Sequence, residues 1–264
     1  NKLTKLTTNF YDQYPFPRLS KQKVLSLSKN INNLLLKMGF PKKLLSQPLN
    51  VLDAGCGTGS FSLSFGYANP NCKIIAFNIS KSSIEYAKKQ AKSLKIKNIK
   101  FVEADIFNLP DQITSIKYNL IWCRGVLHHT HDPKLALKII SNLVESKNFL
   151  AVGLYHRGRY LVMIMRFIIK ILAGNDIKKK IRLARLLFPK HCNHHINKGF
   201  EGDAPRSREI EDTCLADKFA VPKESHHTFF RTNVYMNHFG FKIIYKNASK
   251  PENRIRREKW IFKL

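Results

Sequence analysis

The chain has 264 residues, 44% of them hydrophobic, which suits one large globular domain with an appended piece. Its net charge is +28, and residues 1–150 (22 basic, 8 acidic) and 151–264 (24 basic, 10 acidic) each carry +14; so even a spread does not favour nucleic acid, whose binding surface is a clustered stripe, although an anionic partner fits the total. Five scattered cysteines exclude a disulfide scaffold and argue for reduced thiols in a cytoplasmic setting.

In chain order, residues 1–44 read as an N-terminal helical segment that forms a lid over the ligand site. Its first ten, NKLTKLTTNF, hold no long apolar run, so no secretory leader is expected. Residues 20–38 place Val24, Leu27, Ile31, Leu34, Leu35 and Met38 at helical spacing, and Gly39-Phe40-Pro41 ends that helix. Over residues 45–155 strands alternate with helices: strands at 49–54, 73–79, 99–103, 118–123 and 149–154, helices from about 60, at 82–95 and at 133–145. Strands this apolar indicate a parallel sheet covered on both faces, with a ligand at the carboxyl ends of the strands.

Beyond residue 155 the pattern changes. Residues 160–173, YLVMIMRFIIKILA, predict an apolar helix too short and too interrupted to span a bilayer. Arg159, Arg166 and Lys170 would form a basic stripe along it. The segment 157–173 therefore reads either as a peripheral membrane-surface helix or as a core helix with snorkelling cations. Residues 174–228 are polar and basic, so 156–230 reads as a helical or irregular cap. A helix at 231–239 and strands at 241–245 and 259–264 complete the sheet with an antiparallel hairpin.

The first strand runs into VLDAGCGTGS (51–60), with glycines at 55, 57 and 59. The dinucleotide fingerprint G-x-G-x-x-G fails, because Ser60 stands where its last glycine belongs. A pyrophosphate would also be repelled by Asp53. A ligand carrying a cation fits better: Asp53 can face an ammonium while the glycines let backbone, rather than side chains, border the ligand.

VLDAGCGTGS resembles the first motif of the class I S-adenosylmethionine-dependent methyltransferases, and the likeness extends over roughly residues 45–155. IIAFNIS (74–80) and FVEADIFNLP (101–110) follow in register. YNLIWCRGVLHHTHDP (118–133) resembles the ubiquinone and menaquinone branch and its type 11 relatives, and FYDQYPFPR (10–18) the start of an uncharacterised bacterial subgroup. The implied fold is α/β, a Rossmann-like, seven-stranded, mostly parallel sheet with helices on both faces, an antiparallel C-terminal hairpin and the cap insertion. The implied cofactor is S-adenosyl-L-methionine. By position, Asp53, Gly55, Cys56, Gly57 and Gly59 surround its methionine end, Asn78 and Ile79 its ribose, and Asp105 and Ile106 its adenine. Cys123, Arg124 and Gly125 approach the methionine side from below. Asn78 departs from the pattern, which has Asp or Glu there; an amide can still bond the ribose diol, without charge assistance.

Methyl transfer from a sulfonium needs alignment above all, with a base where the acceptor must lose a proton. His128 and His129, just after the fourth strand, are the candidate bases. Tyr11, Tyr14 and Phe16 are candidates to close the cofactor site, or else to pack as a hydrophobic plug. HCNHH (191–195) and SHH (225–227) lack zinc-ligand spacing, so no metal is expected. The expected acceptor is a small or lipid-linked molecule chosen by the cap, with RNA methylation and cofactor binding without turnover as the alternatives.

Overall fold

Side-chain caps set the starts of several helices in the computed structural model, which describes residues 1–155, 160–199, 207–247 and 257–263. Two long helices and a short one lead the chain: α1 (Lys2–Gln13), α2 (Lys21–Lys37) and α3 (Lys42–Leu45). Ser20 caps α2 by accepting from the Lys23 amide, and Val24, Ile31 and Leu35 form its buried stripe. The alternating region then runs β1 (Asn50–Ala54), α4 (Ser60–Ala68), β2 (Lys73–Asn78), α5 (Lys81–Ser93), β3 (Ile99–Glu103), α6 (Asp111–Thr114) and β4 (Tyr118–Arg124). It closes with α7 (Pro133–Ser141) and β5 (Val144–Tyr155). α7 begins on Asp132, whose carboxylate accepts from the amides of Lys134 and Leu135, with Pro133 at the first position where its missing N–H costs nothing. Then come α8 (Tyr160–Ala173), α9 (Ile177–Leu187), α10 (Pro189–Gly199), α11 (Arg208–Phe219), α12 (Phe229–His238), β6 (Lys242–Asn247) and β7 (Arg257–Lys263).

The seven strands form one sheet in the order β3-β2-β1-β4-β5-β7-β6. β1 to β5 pair in parallel, and β7 runs antiparallel to both β5 and β6. The expected C-terminal hairpin is present, with its second strand inside: β7 pairs with β5 from Phe149↔Lys263 to Tyr155↔Arg257, and β6 takes the edge. Strand order reverses at β1, between β2 and β4, and a crevice opens there at the carboxyl ends.

Each face of the sheet is covered. Leu52, Ile121, Leu150 and Phe262 belong to one buried cluster with Met236 of α12, and Val51, Leu120 and Phe149 to another with Leu35, Phe61 and Phe65 of α2 and α4. A third cluster joins Met165, Ile169, Ile181, Leu215 and Phe219 of α8, α9 and α11 to Phe10 of α1 and to Tyr14 just after it. The C-terminal insertion and the N-terminal helix thus share one core, and together they roof the crevice.

α1 falls within the segment read as helical, and its one fully buried residue is Phe10. One boundary differs from expectation. The helix expected to reach residue 145 ends at Ser141, because β5 already starts at Val144. After Val144 its residues Glu145 to Asn148 are polar and the pairing with β4 shifts there, so apolar pattern could not reveal them. Within 174–228, the described residues are largely helical, as α9, α10 and α11, one of the two forms read for that segment. Arg159 lies outside the described residues; Arg166, the next member of the expected basic stripe, turns inward and pairs with Glu224 at 2.5 Å.

Candidate active site

The carboxyl ends of β1, β2, β4 and β5 open into a cavity of about 440 Å³, lined on its other side by α1 and the 16–17 segment. Asp53, near the end of β1, lines it while only 3% exposed. Its Oδ2 accepts from the Ser62 amide in the first turn of α4 at 3.1 Å. Burial raises its carboxyl to about 7, against the opposing pull of the Ser62 bonds. Among the described residues no Lys or Arg pairs with it. A buried carboxylate on a cavity wall with no cation of its own is a site for a ligand's ammonium.

Gly55, Cys56 and Gly57 continue the wall. Gly57 has φ +54°, and a Cβ on it would lie 2.5 Å from the Phe16 carbonyl oxygen. This corrects the expectation that the glycine clears space for ligand: what presses on it is the N-terminal segment. That segment is held there by the Thr58 hydroxyl, which donates to the Pro17 carbonyl. Two further expectations need correction. Gly59 heads α4 outside the cavity wall, where a side chain would meet Ala87 and Leu63 at 3.1–3.2 Å, so it serves the packing of α4. Cys123 is fully buried in the cluster that holds Leu52 and Ile121, and burial pushes its thiol far above the usual range. Alternation along β4 turns its neighbours Trp122 and Arg124, with Gly125, to the cavity instead.

Asn78 and Ile79, at the end of β2, line the cavity. The Asn78 Oδ1 accepts from the Ser80 amide at 2.8 Å, so its remaining polar group toward the cavity is a donor. Asp105 and Ile106 follow β3; the Asp105 Oδ1 accepts from the Phe107 amide at 3.1 Å, and Ile106 is 6% exposed.

The rest of the cavity is aromatic and imidazole-rich. His128 and His129 both reach it from a single helical turn, Leu127–His129. The His129 Nδ1 lies 2.7 Å from the Lys223 carbonyl oxygen. A carbonyl can only accept, so Nδ1 carries the hydrogen and Nε2 carries the lone pair. Burial lowers the His129 pKa below its ordinary value, opposed by Asp217, the Lys223 carbonyl and Glu224 and reinforced by Arg166, so the ring is neutral near pH 7. His128, fully buried, stacks obliquely on Tyr155 at 3.9 Å between centroids. The sequence puts His128 slightly ahead of His129 as the candidate base, whereas the structure fixes the tautomer of His129 and stacks His128 on Tyr155.

Tyr11 enters the cavity from α1 and donates its hydroxyl to Asp217 of α11 at 3.1 Å. Burial first and Asp217 next raise its phenol well above 10, so it remains a donor. Phe16 lines the cavity too, whereas Tyr14 packs in the core shared by α1 and the insertion. Sequence reasoning did not find Asp217, Tyr155 or His131. Tyr155 was discoverable as the last residue of an apolar strand; Asp217, 206 positions from its partner, carried no local signal. Asp12 was also missed: its carboxylate accepts from the Ser80 hydroxyl at 2.8 Å and the Ser82 amide at 3.2 Å, tying α1 to the start of α5. All five cysteines are buried and free, and among the described residues no group of three or more His, Cys, Asp or Glu could hold a metal ion.

A family model described as a methyltransferase domain matches residues 45–187. An uncharacterised protein of Synechococcus is 25% identical over 241 residues, covering 85% of this chain and 55% of its own length; the chain thus spans about half of that relative. Among solved structures, PKMT2 from Rickettsia typhi superposes with a TM-score of 0.63 at 16% identity, over 93% of this chain and 53% of that one. Magnesium protoporphyrin IX methyltransferase from Synechocystis, solved with bound S-adenosylhomocysteine, gives 0.60 at 14% identity over 99% of both chains.

Proposed function

The chain belongs to the methyltransferase-domain family, and we propose that it uses S-adenosylmethionine to methylate a small-molecule acceptor held between the strand ends and the C-terminal insertion. The observation that carries this reading is Asp53, a buried carboxylate without a cation partner among the described residues, beside a glycine turn on a cavity wall. The donor set fits the cofactor: Asp53 for the ammonium, Asn78 for the ribose, Asp105 and Ile106 for the adenine. When bound, S-adenosylmethionine supplies a methyl group on a positively charged sulfur.

The chain's own residues do the rest. Gly55, Cys56 and Gly57 border the amino-acid end, and α1 with Phe16 and Pro17 lies across the cavity from them. His129 accepts the acceptor's proton at Nε2, its ring held by the Lys223 carbonyl. Tyr11 and Asp217, bonded to each other, wall the far side and make that end of the cavity polar. Alignment in this enclosed space lowers the barrier for in-line displacement. The rings of His128, His129 and Tyr155 favour a flat or cyclic acceptor bearing an ionisable O–H or N–H.

The test is incubation of the protein with methyl-labelled S-adenosylmethionine and fractionated cell extract. Label in a small-molecule fraction, lost in His129→Ala, is expected. Label in the lipid fraction would identify a lipid-linked acceptor, and label in RNA would replace this reading with the nucleic-acid one. Cofactor binding with no labelled product in any fraction would make the protein a binder without turnover.

A further inference from the structure

The outer face of α8 is an apolar surface that the fold leaves uncovered among the described residues. Val162, Met165, Ile169 and Ala173 face the core. On the opposite side Tyr160, Ile164, Phe167 and Ile171 form a stripe at spacings of four, three and four, each 56–66% exposed. Met163 and Leu172 flank the stripe at 42% and 49% exposed. Exposed apolar patches of this extent mark interaction sites on soluble folds.

The charge around the face identifies its partner. Residues 160–190 hold eight Lys and Arg against one acid, Asp176. α9 follows α8 after a short turn and, with Ile181 and Ala184 packed inward, exposes Lys178, Lys179 and Arg182. Between α8 and α1 lies a groove of about 580 Å³, on the side of α1 that faces away from the main cavity. Phe167 and Met163 line it, together with Arg166, Lys170 and Lys180. Arg166 is neutralised by Glu224, which also meets His226 at 2.9 Å. Lys180 is half-buried; burial first and the nearby charges of Arg166 and Lys170 next lower its pKa, opposed by Asp176. A cationic groove opening beside an exposed apolar stripe matches a phosphate headgroup next to acyl chains.

We propose that α8 docks on an anionic phospholipid membrane, lying in the interface with Ile164, Phe167 and Ile171 among the acyl chains and Lys170 and Lys180 at the lipid phosphates. No described helix is long and apolar enough to cross a membrane, so the contact is peripheral. Because the face is separate from the strand-end cavity, the inference does not depend on the transferase reading.

Flotation with vesicles of 30% phosphatidylglycerol in phosphatidylcholine tests it, beside pure phosphatidylcholine vesicles. Binding to the anionic vesicles, weakened by salt, is expected, with little binding to the neutral ones. The exposed substitutions Ile164→Glu and Phe167→Glu together should abolish it. Lys170→Glu with Lys178→Glu should weaken it about fivefold or more per site. Calorimetric titration with S-adenosylmethionine and the thermal midpoint should be unchanged in all variants, which verifies folding. Failure of the wild-type chain to float with anionic vesicles would overturn the proposal. So would undiminished flotation of the Ile164→Glu/Phe167→Glu variant, which would mean diffuse charge adsorption alone. A wild-type dimer in sedimentation equilibrium that the same variant splits would assign the face to a second copy of the chain.

Discussion

Asp53→Asn separates what the cofactor site needs from what folding needs. In the ligand-free protein the Asp53 carboxyl titrates at about 7, raised from an ordinary 3.8 by burial. Between those values the folded state holds a proton that the unfolded state has released, so stability falls as pH rises from about 4 to 7 and the whole penalty is present above 7. Three units at ~1.4 kcal/mol each set an upper bound of ~4 kcal/mol. Asparagine removes the charge and keeps an oxygen for the Ser62 amide, but its buried NH₂ needs an acceptor, a cost of ~1–2 kcal/mol. The ligand-free variant should therefore be about 2–3 kcal/mol more stable at pH 8, a rise of roughly 4–10 °C in thermal midpoint. The gain should vanish toward pH 4. S-adenosylmethionine affinity should fall about 10- to 100-fold, because the ammonium loses a charge-assisted partner. Differential scanning fluorimetry across pH 4–8 and calorimetric titration read the two effects. A lower midpoint at pH 8 than wild type, or undiminished affinity, would refute this placement of the carboxylate.

Asn78→Asp should tighten S-adenosylmethionine binding by about fivefold or more in calorimetry, because one carboxylate oxygen can keep the Ser80 amide while the other accepts from a ribose hydroxyl. Gly57→Val should lower the thermal midpoint and weaken cofactor binding together, since the side chain meets the Phe16 carbonyl; limited proteolysis should show faster cleavage near residues 16–17. His129→Ala should reduce kcat about 10²- to 10⁴-fold while leaving cofactor affinity near wild type, measured by label transfer and calorimetry. In the pH profile, kcat/KM for S-adenosylmethionine should decline below about 7 as Asp53 takes a proton. kcat should hold to lower pH, because burial keeps His129 neutral below its ordinary value.

The strand positions were legible because β1, β2 and β4 are buried on both faces, so their sequences are nearly all apolar. β5 was legible only in its buried half, Phe149 to Tyr155, since its polar start follows a shift in register. Asp53, Gly55, Asn78, Asp105 and Ile106 line one cavity because they lie at strand ends, where chain order and spatial order coincide. Cys123 failed for the same physical reason that Trp122 and Arg124 line the cavity: neighbouring strand residues face opposite ways. Gly57 was assigned to the loop, but its constraint comes from Phe16, 41 positions earlier, and no local spacing encodes that contact. The far end of the cavity was harder still. Tyr11, His129 and Asp217 meet only because α1 and α11 pack through a shared core, so their meeting is a property of tertiary packing.

The central claim is that the chain binds S-adenosylmethionine at the β1 carboxylate and glycine turn. Calorimetric titration of the wild-type protein with S-adenosylmethionine at pH 8 tests it most directly. A single saturable site, lost or strongly weakened in Asp53→Asn while that variant remains folded, is the expected result. No heat of binding at millimolar cofactor, or equal binding by Asp53→Asn, would contradict it.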